Sequence, residues 1–123
     1  MRNFRKGSAL VVLVALVALV VSVSAFGGST AASATTVTVT AGKPSELKFT
    51  LSKKTIVKGV TTFKVTNRGN LSHDFKIAGK RTPLLKAGKA ATLKVTLKAG
   101  KFAFLCTVPG HAAAGMKGTL TVK

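Results

Sequence analysis

From residue 35 onward, apolar and polar side chains alternate along the chain with a period of two. The apolar members of these short runs are Val37 and Val39; Leu47, Phe49 and Leu51; Val60, Phe63 and Val65; Leu93, Val95 and Leu97; and Leu120 and Val122. Successive side chains of a strand point to opposite faces, so the alternation predicts strands with one buried face. Turn-forming residues separate the runs. The pattern therefore predicts an all-β fold, an antiparallel β-sandwich of seven or eight strands with little helix.

The first part of the chain follows a different pattern. Three basic residues within the first six precede an uninterrupted apolar run over residues 9–21, and small residues follow it. The candidate cleavage sites lie after Ala25 and after Ala34, and the second fits the A-x-A form better. We interpret residues 1–34 as a signal peptide and residues 35–123 as one domain. An uncleaved membrane anchor remains the alternative, and either segment predicts an exported protein that is extracellular, periplasmic or associated with the cell envelope.

The residues able to bind a soft metal are few and fall into one pattern. The chain has one cysteine, two histidines and, beyond the initiator, one methionine. His73 and Cys106 share the parity of the core residues in their runs, so both are expected to point inward. Two imidazoles, a thiolate and a weak axial thioether are the donors of blue-copper electron-transfer sites. The predicted ligands of one copper ion, cycling between Cu(I) and Cu(II), are His73, Cys106, His111 and Met116.

Each of these residues also has an ordinary structural interpretation. A lone buried cysteine is usually a small hydrophobe, a methionine often fills a gap in a core, and a histidine can simply be buried with its hydrogen bonds satisfied. Their arrangement in a single pattern favours the metal site. Zinc is the weaker candidate, because the thioether of methionine is a poor ligand for zinc and structural zinc sites favour cysteine and histidine. One cysteine is too few for a binuclear copper site, and two histidines are too few for a multicopper oxidase or a copper nitrite reductase.

The spacing Cys-x4-His-x4-Met after a strand, with a histidine upstream, makes the segment from residue 35 to 123 similar to the cupredoxins, the family of plastocyanin and azurin. The resemblance implies a Greek-key sandwich in which His73 is the upstream ligand and the other three ligands share one loop. It also implies that His111, which has small apolar neighbours, is the electron exit. Family members often carry asparagine after the upstream histidine. Asp74 stands there instead, and we expect it to brace the cysteine loop, accepting the amide of Thr107.

The function predicted from these features is that of a one-electron carrier outside the cytoplasmic membrane, not an enzyme. The chain has few groups that could act as a general acid or base, because it contains only two side-chain carboxylates. Two alternatives remain open: a copper storage or delivery protein of the cell envelope, and a metal-free adhesive β-sandwich. The sequence has no methionine-rich tract of the kind that storage and delivery proteins often use.

The charge of the predicted domain is strongly positive. Residues 35–123 hold 17 of the 20 basic residues of the chain, against Glu46 and Asp74 as the only acidic ones. Such a charge favours binding to an acidic redox partner protein or to an anionic cell-envelope surface. The alternative interpretation is that the lysines only form a solvated outer face that prevents aggregation through the strand edges. Nucleic acid is not an expected partner, because the lysines are spread over the strands and no Trp or Tyr is present to stack on bases. We expect a monomer.

Overall fold

The computed structural model describes residues 34–123, so the predicted signal peptide falls outside the described residues except for its last one. Within this range the chain forms strands, turns and loops, and no helix is long and apolar enough to cross a membrane. The strands, in chain order, are β1 (Thr35–Ala41), β2 (Phe49–Leu51), β3 (Thr55–Ile56), β4 (Gly59–Asn67), β5 (Lys76–Ile77), β6 (Lys80–Arg81), β7 (Ala90–Leu97), β8 (Gly100–Leu105) and β9 (Lys117–Val122).

The strands form two sheets, which confirms the predicted all-β sandwich. The first sheet has the order β2-β1-β4-β7 and the second has the order β3-β9-β8-β5-β6. The pairs β1–β4 and β3–β9 are parallel, and the other pairs are antiparallel. Both sheets are thus mixed, a feature that alternation could not reveal because it specifies the face of a side chain and not the direction of the neighbouring strand. The strand number exceeds seven or eight because β3, β5 and β6 have two residues each.

The inward faces of both sheets share one apolar core, and a group of phenylalanine rings lies within it. The ring of Phe75 lies 5.4 Å from that of Phe49, 5.2 Å from that of Phe63 and 5.5 Å from that of Phe104, measured between centroids. Phe49 and Phe63 belong to the first sheet and Phe104 to the second. Aromatic pairs at these separations add to the stability gained from burial. Phe75 therefore anchors its segment, which includes His73, between the two sheets.

One end of the sandwich gathers the loops that contain the predicted ligands, and we call it the site pole. Ala41 at the end of β1 packs there with Cys106, which follows β8, and with Met116, which precedes β9. Strand β8 runs towards this pole from Gly100, so the turn that contains Ala99 lies at the opposite end of the sandwich.

Candidate metal centre

His73 is held at the site pole by backbone hydrogen bonds to Leu85 and by the burial of Phe75 in the core. Its amide donates to the carbonyl of Leu85 at 2.9 Å, and the amide of Leu85 donates back to the carbonyl of His73 at 2.8 Å. His73, Phe75 and Ile77 are all buried. The prediction that the His73 imidazole points inward is therefore confirmed, although Asp74, which has the opposite parity, is buried as well.

The connection from β8 to β9 closes on itself. The amide of Cys106 donates to the carbonyl of Met116 at 3.1 Å, and the amide of Met116 donates to the carbonyl of His111 at 3.0 Å. Gly110 and Gly115 have φ angles of 83° and 109°, which glycine adopts far more readily than other residues. This folding places the side chains of Cys106 and Met116 in one small buried cluster and leaves His111 half-buried.

Three donor atoms converge on one point at the site pole. The two Nδ1 atoms of His73 and His111 are 3.2 Å apart, and the Sγ atom of Cys106 lies 3.5 Å from the Nδ1 of His111 and 4.0 Å from that of His73. Donors that share a metal at about 2.0–2.3 Å lie at most about 4.6 Å apart. All three separations fit a single ion, and Met116 is fully buried beside Cys106. The structure thus brings together all four residues that the sequence singled out.

Glu46 is a residue of this site that the sequence analysis did not assign. It lies in the connection between β1 and β2, and its Oε1 accepts a hydrogen bond from the Nε2 of His73 at 2.7 Å. Its carboxylate also accepts the amides of Asn70 at 2.8 Å and Leu71 at 2.9 Å. These two amides, together with His73, hold the pKa of Glu46 at about 2. Because a carboxylate can only accept, the proton resides on Nε2, and the Nδ1 of His73 faces the other donors with a free lone pair.

Asp74 restrains the cysteine loop, as the resemblance to cupredoxins implied. Its Oδ1 accepts the amide of Thr107 at 2.6 Å, and its Oδ2 accepts the hydroxyl of the same residue. Thr107 directly follows Cys106, so this contact restrains the thiol through its neighbour. The two acidic residues of the chain, Glu46 and Asp74, therefore both support the same site.

The surroundings of two of the donors, Cys106 and His111, shift their pKa values and so set the protonation that a metal would meet. Burial raises the pKa of the Cys106 thiol, so the thiol is neutral at neutral pH when no metal is bound. Burial and the neighbouring His73 lower the pKa of His111, so this imidazole is also neutral. Metal binding at this site therefore displaces a proton from Cys106 and finds the His111 imidazole uncharged.

Comparison with known proteins gives the family and the fold. Residues 10–122 match the family described as a cupredoxin-like domain. Auracyanin-B of Chloroflexus aurantiacus is 48% identical over 42 residues, which are 33% of this chain and 18% of the length of that protein. A structure of auracyanin B has a TM-score of 0.65 and 24% identity, covering 75% of this chain and 90% of its own. Auracyanin A, described as a "blue" copper protein from Chloroflexus aurantiacus, has a TM-score of 0.63 and 21% identity, covering 74% and 100%.

The family match spans the whole sandwich and all four candidate ligands. Copper is the metal that cupredoxins bind, and the thiolate, thioether and imidazole groups found here suit it because soft sulfur donors favour Cu(I) and imidazole also accommodates Cu(II). Sequence match, sandwich architecture and donor chemistry agree, and the chain belongs to the cupredoxin-like family.

Proposed function

We propose that this protein is a one-electron carrier that binds a single copper ion through His73, Cys106, His111 and Met116. The observation that carries the proposal is the convergence of two imidazole nitrogens and a thiol sulfur, with mutual distances of 3.2 to 4.0 Å. When bound, copper supplies the change between Cu(I) and Cu(II). The protein supplies the ligands and keeps them in place.

Rigid ligands favour electron transfer over chemistry on a substrate. The backbone of His73 is paired with that of Leu85, and the backbone of Cys106 is paired with that of Met116. Thr107 donates two hydrogen bonds to the carboxylate of Asp74. A site restrained in this way changes little when an electron arrives, so transfer requires little rearrangement of the protein. Both carboxylates of the chain are engaged in hydrogen bonds that support the ligands. This use of the acidic residues supports a carrier rather than an enzyme.

His111 is the proposed point of electron exit. It is half-buried, as are its neighbours Val108 and Ala112, whereas His73 is fully buried. A partner could therefore approach the His111 ring over the apolar side chains of Val108 and Ala112. Burial of Cys106 and Met116 also argues against the alternative of copper storage or delivery, since release of the ion would require the loop to open.

The charge of the molecule supports an acidic redox partner protein. After residue 34 the chain has 17 basic residues and only two acidic ones, Glu46 and Asp74. Both acidic side chains accept hydrogen bonds at the candidate metal site. The charged groups on the surface of residues 34–123 are consequently almost all basic. We propose an acidic redox partner, attraction of the protein to an anionic cell-envelope surface, and function as a monomer outside the cytoplasm. The signal-like pattern of residues 1–34 supports the location.

Copper titration of the purified protein, followed by visible absorption, tests the proposal. The wild type should develop one intense thiolate-to-copper band that saturates at one equivalent, and Cys106→Ser should abolish it. Ala103→Ser, which changes an exposed residue of β8, should keep the band. Absence of an intense band in the wild type would refute the copper site. Electron self-exchange slower than the transfer of copper to a chelator would instead indicate storage or delivery.

A further inference from the structure

The connection between β1 and β2 crosses the site pole and brings a carboxylate to the far side of the His73 ring. We infer that Glu46 is a positioning residue: it fixes the orientation and tautomer of His73, and its negative charge favours the oxidised form of the bound copper. This inference rests on the proposed function, because it concerns the same copper ion.

The Glu46 carboxylate is held independently of His73. Its two oxygens accept the amides of Asn70 and Leu71, so the carboxylate is fixed to the loop that precedes the histidine. The buried side chain of Asn67 holds the same loop, donating to the carbonyl of Leu71 at 2.7 Å. Glu46 is thus a fixed acceptor, and the ring of His73 is oriented by it.

Gly69 leaves the space that the carboxylate fills. A Cβ atom at this position would lie 2.9 Å from the Cδ and 3.0 Å from the Oε2 of Glu46, closer than side-chain carbons approach such groups. The backbone of Gly69 does not have a positive φ angle, so close approach, and not conformation, is the reason for glycine here. Two separate features therefore support the contact between Glu46 and His73: residue 69 has no side chain, and backbone amides hold the carboxylate in the space that this leaves.

The charge on Glu46 acts on the metal through the ring. A carboxylate that accepts from the outer nitrogen of a ligating histidine makes the inner nitrogen a stronger donor. Cu(II) carries one more positive charge than Cu(I), so a fixed negative charge nearby stabilises the oxidised ion more. The side chain of Glu46 is 30% exposed and that of His73 is fully buried, so solvent screens this interaction only in part.

Replacement of the charge with a neutral amide tests this role. In Glu46→Gln the preference of the site for Cu(II) over Cu(I) should fall about tenfold, which raises the reduction potential by about 59 mV for one electron. Ala99→Lys raises the net charge by the same amount at the opposite pole and is the matched control. Its potential should stay close to that of the wild type. Equal potentials in Glu46→Gln and Ala99→Lys would overturn the inference.

Displacement of the carboxylate without loss of its charge gives a second test. In Gly69→Ala the new methyl group should push Glu46 away from His73, and the potential should rise in the same direction as in Glu46→Gln. An unchanged potential in Gly69→Ala would argue against the contact.

A third test uses the metal-free wild-type protein, so it does not depend on the folding of any variant. Nitrogen-15 NMR of the imidazoles should show His73 protonated on Nε2 and bare on Nδ1. A proton on Nδ1 instead would overturn the inference. Failure of the proposed function has a different signature, because it would remove the intense visible band of the wild type.

Discussion

At the scale of single residues, the two sulfur ligands are equally buried but have unequal roles. Cys106 and Met116 are both fully buried and lie at the two ends of one loop, joined by a backbone hydrogen bond. A thiolate forms a strong bond with copper, whereas an axial thioether is long and weak. Equal burial therefore does not imply equal dependence of copper binding on the two sulfur atoms.

Met116→Leu should keep the copper and the intense visible band but raise the reduction potential. The thioether stabilises Cu(II) modestly, and a tenfold loss of that preference corresponds to about 59 mV, the order of shift that voltammetry should find. Leucine has a similar volume, so the fold should be retained. Leu97→Met, at the end of β7 away from the site, is the control and should leave the potential unchanged. Loss of copper in Met116→Leu equal to that in Cys106→Ser would show that the two ligands have been misranked.

The sequence could predict a residue of the site only where that residue belongs to a recognisable pattern or lies next to one. The four donors could be found because the chain has almost no other residues of their types, and Asp74 could be found because it adjoins His73. Glu46 lies 27 residues before His73 in a connection without regular alternation. Its rarity as one of two carboxylates is a signal that could have pointed to it.

At the scale of the strands, alternation predicted which residues are buried but not how strands meet. In β7 the inward Val95 and Leu97 are buried and the outward Lys94 and Thr96 are exposed, as the pattern required. The run from residue 73 to 77 has the same alternation but forms a strand only at its last two residues. The backbone of Phe75 pairs with Thr82 through its amide and carbonyl, and a hydroxyl acceptor takes the place of a strand neighbour. Contacts of that kind depend on tertiary structure, so a local pattern does not contain them.

The pairing of β8 with β9 contains a glycine that the sandwich requires. Gly118 lies opposite Phe104, and a Cβ atom on Gly118 would come within 2.9 Å of the Cε2 of that ring. Phe104 cannot easily retreat, because it is buried against Phe49 and Phe75. Gly118→Ala should therefore lower the free energy of unfolding by about 1–3 kcal/mol, the usual cost of overpacking a core.

Denaturant unfolding of the metal-free protein measures this cost without a contribution from copper binding. Thr119→Ala, at the adjacent exposed position of β9, is the control and should change stability by no more than about 0.5 kcal/mol. A Gly118→Ala protein as stable as this control would mean that the ring of Phe104 has room to move.

At the scale of the whole molecule, positive charge surrounds a site that contains the two negative groups of the chain. Steering of an acidic partner by this charge should accelerate encounter, by roughly 10-fold or more at low ionic strength. The screening length falls from about 30 Å at 0.01 M to about 3 Å at 1 M salt. Electron transfer to an acidic protein partner should therefore slow at least several-fold over that range, as stopped-flow kinetics can measure. Transfer to a neutral small oxidant should barely change, and equal salt dependence for both would exclude steering.

The last prediction concerns where the electron leaves. Ala112 adjoins His111 and is half-buried at the site pole, so a glutamate there would place bulk and negative charge beside the proposed exit. Ala112→Glu should slow transfer both to the acidic partner and to the neutral oxidant, because the two reach the same ring. Ala99→Glu introduces the same side chain at the opposite pole and should leave transfer to the neutral oxidant intact. If copper-loaded Ala112→Glu transfers electrons to both at the wild-type rate, the electron does not leave through His111.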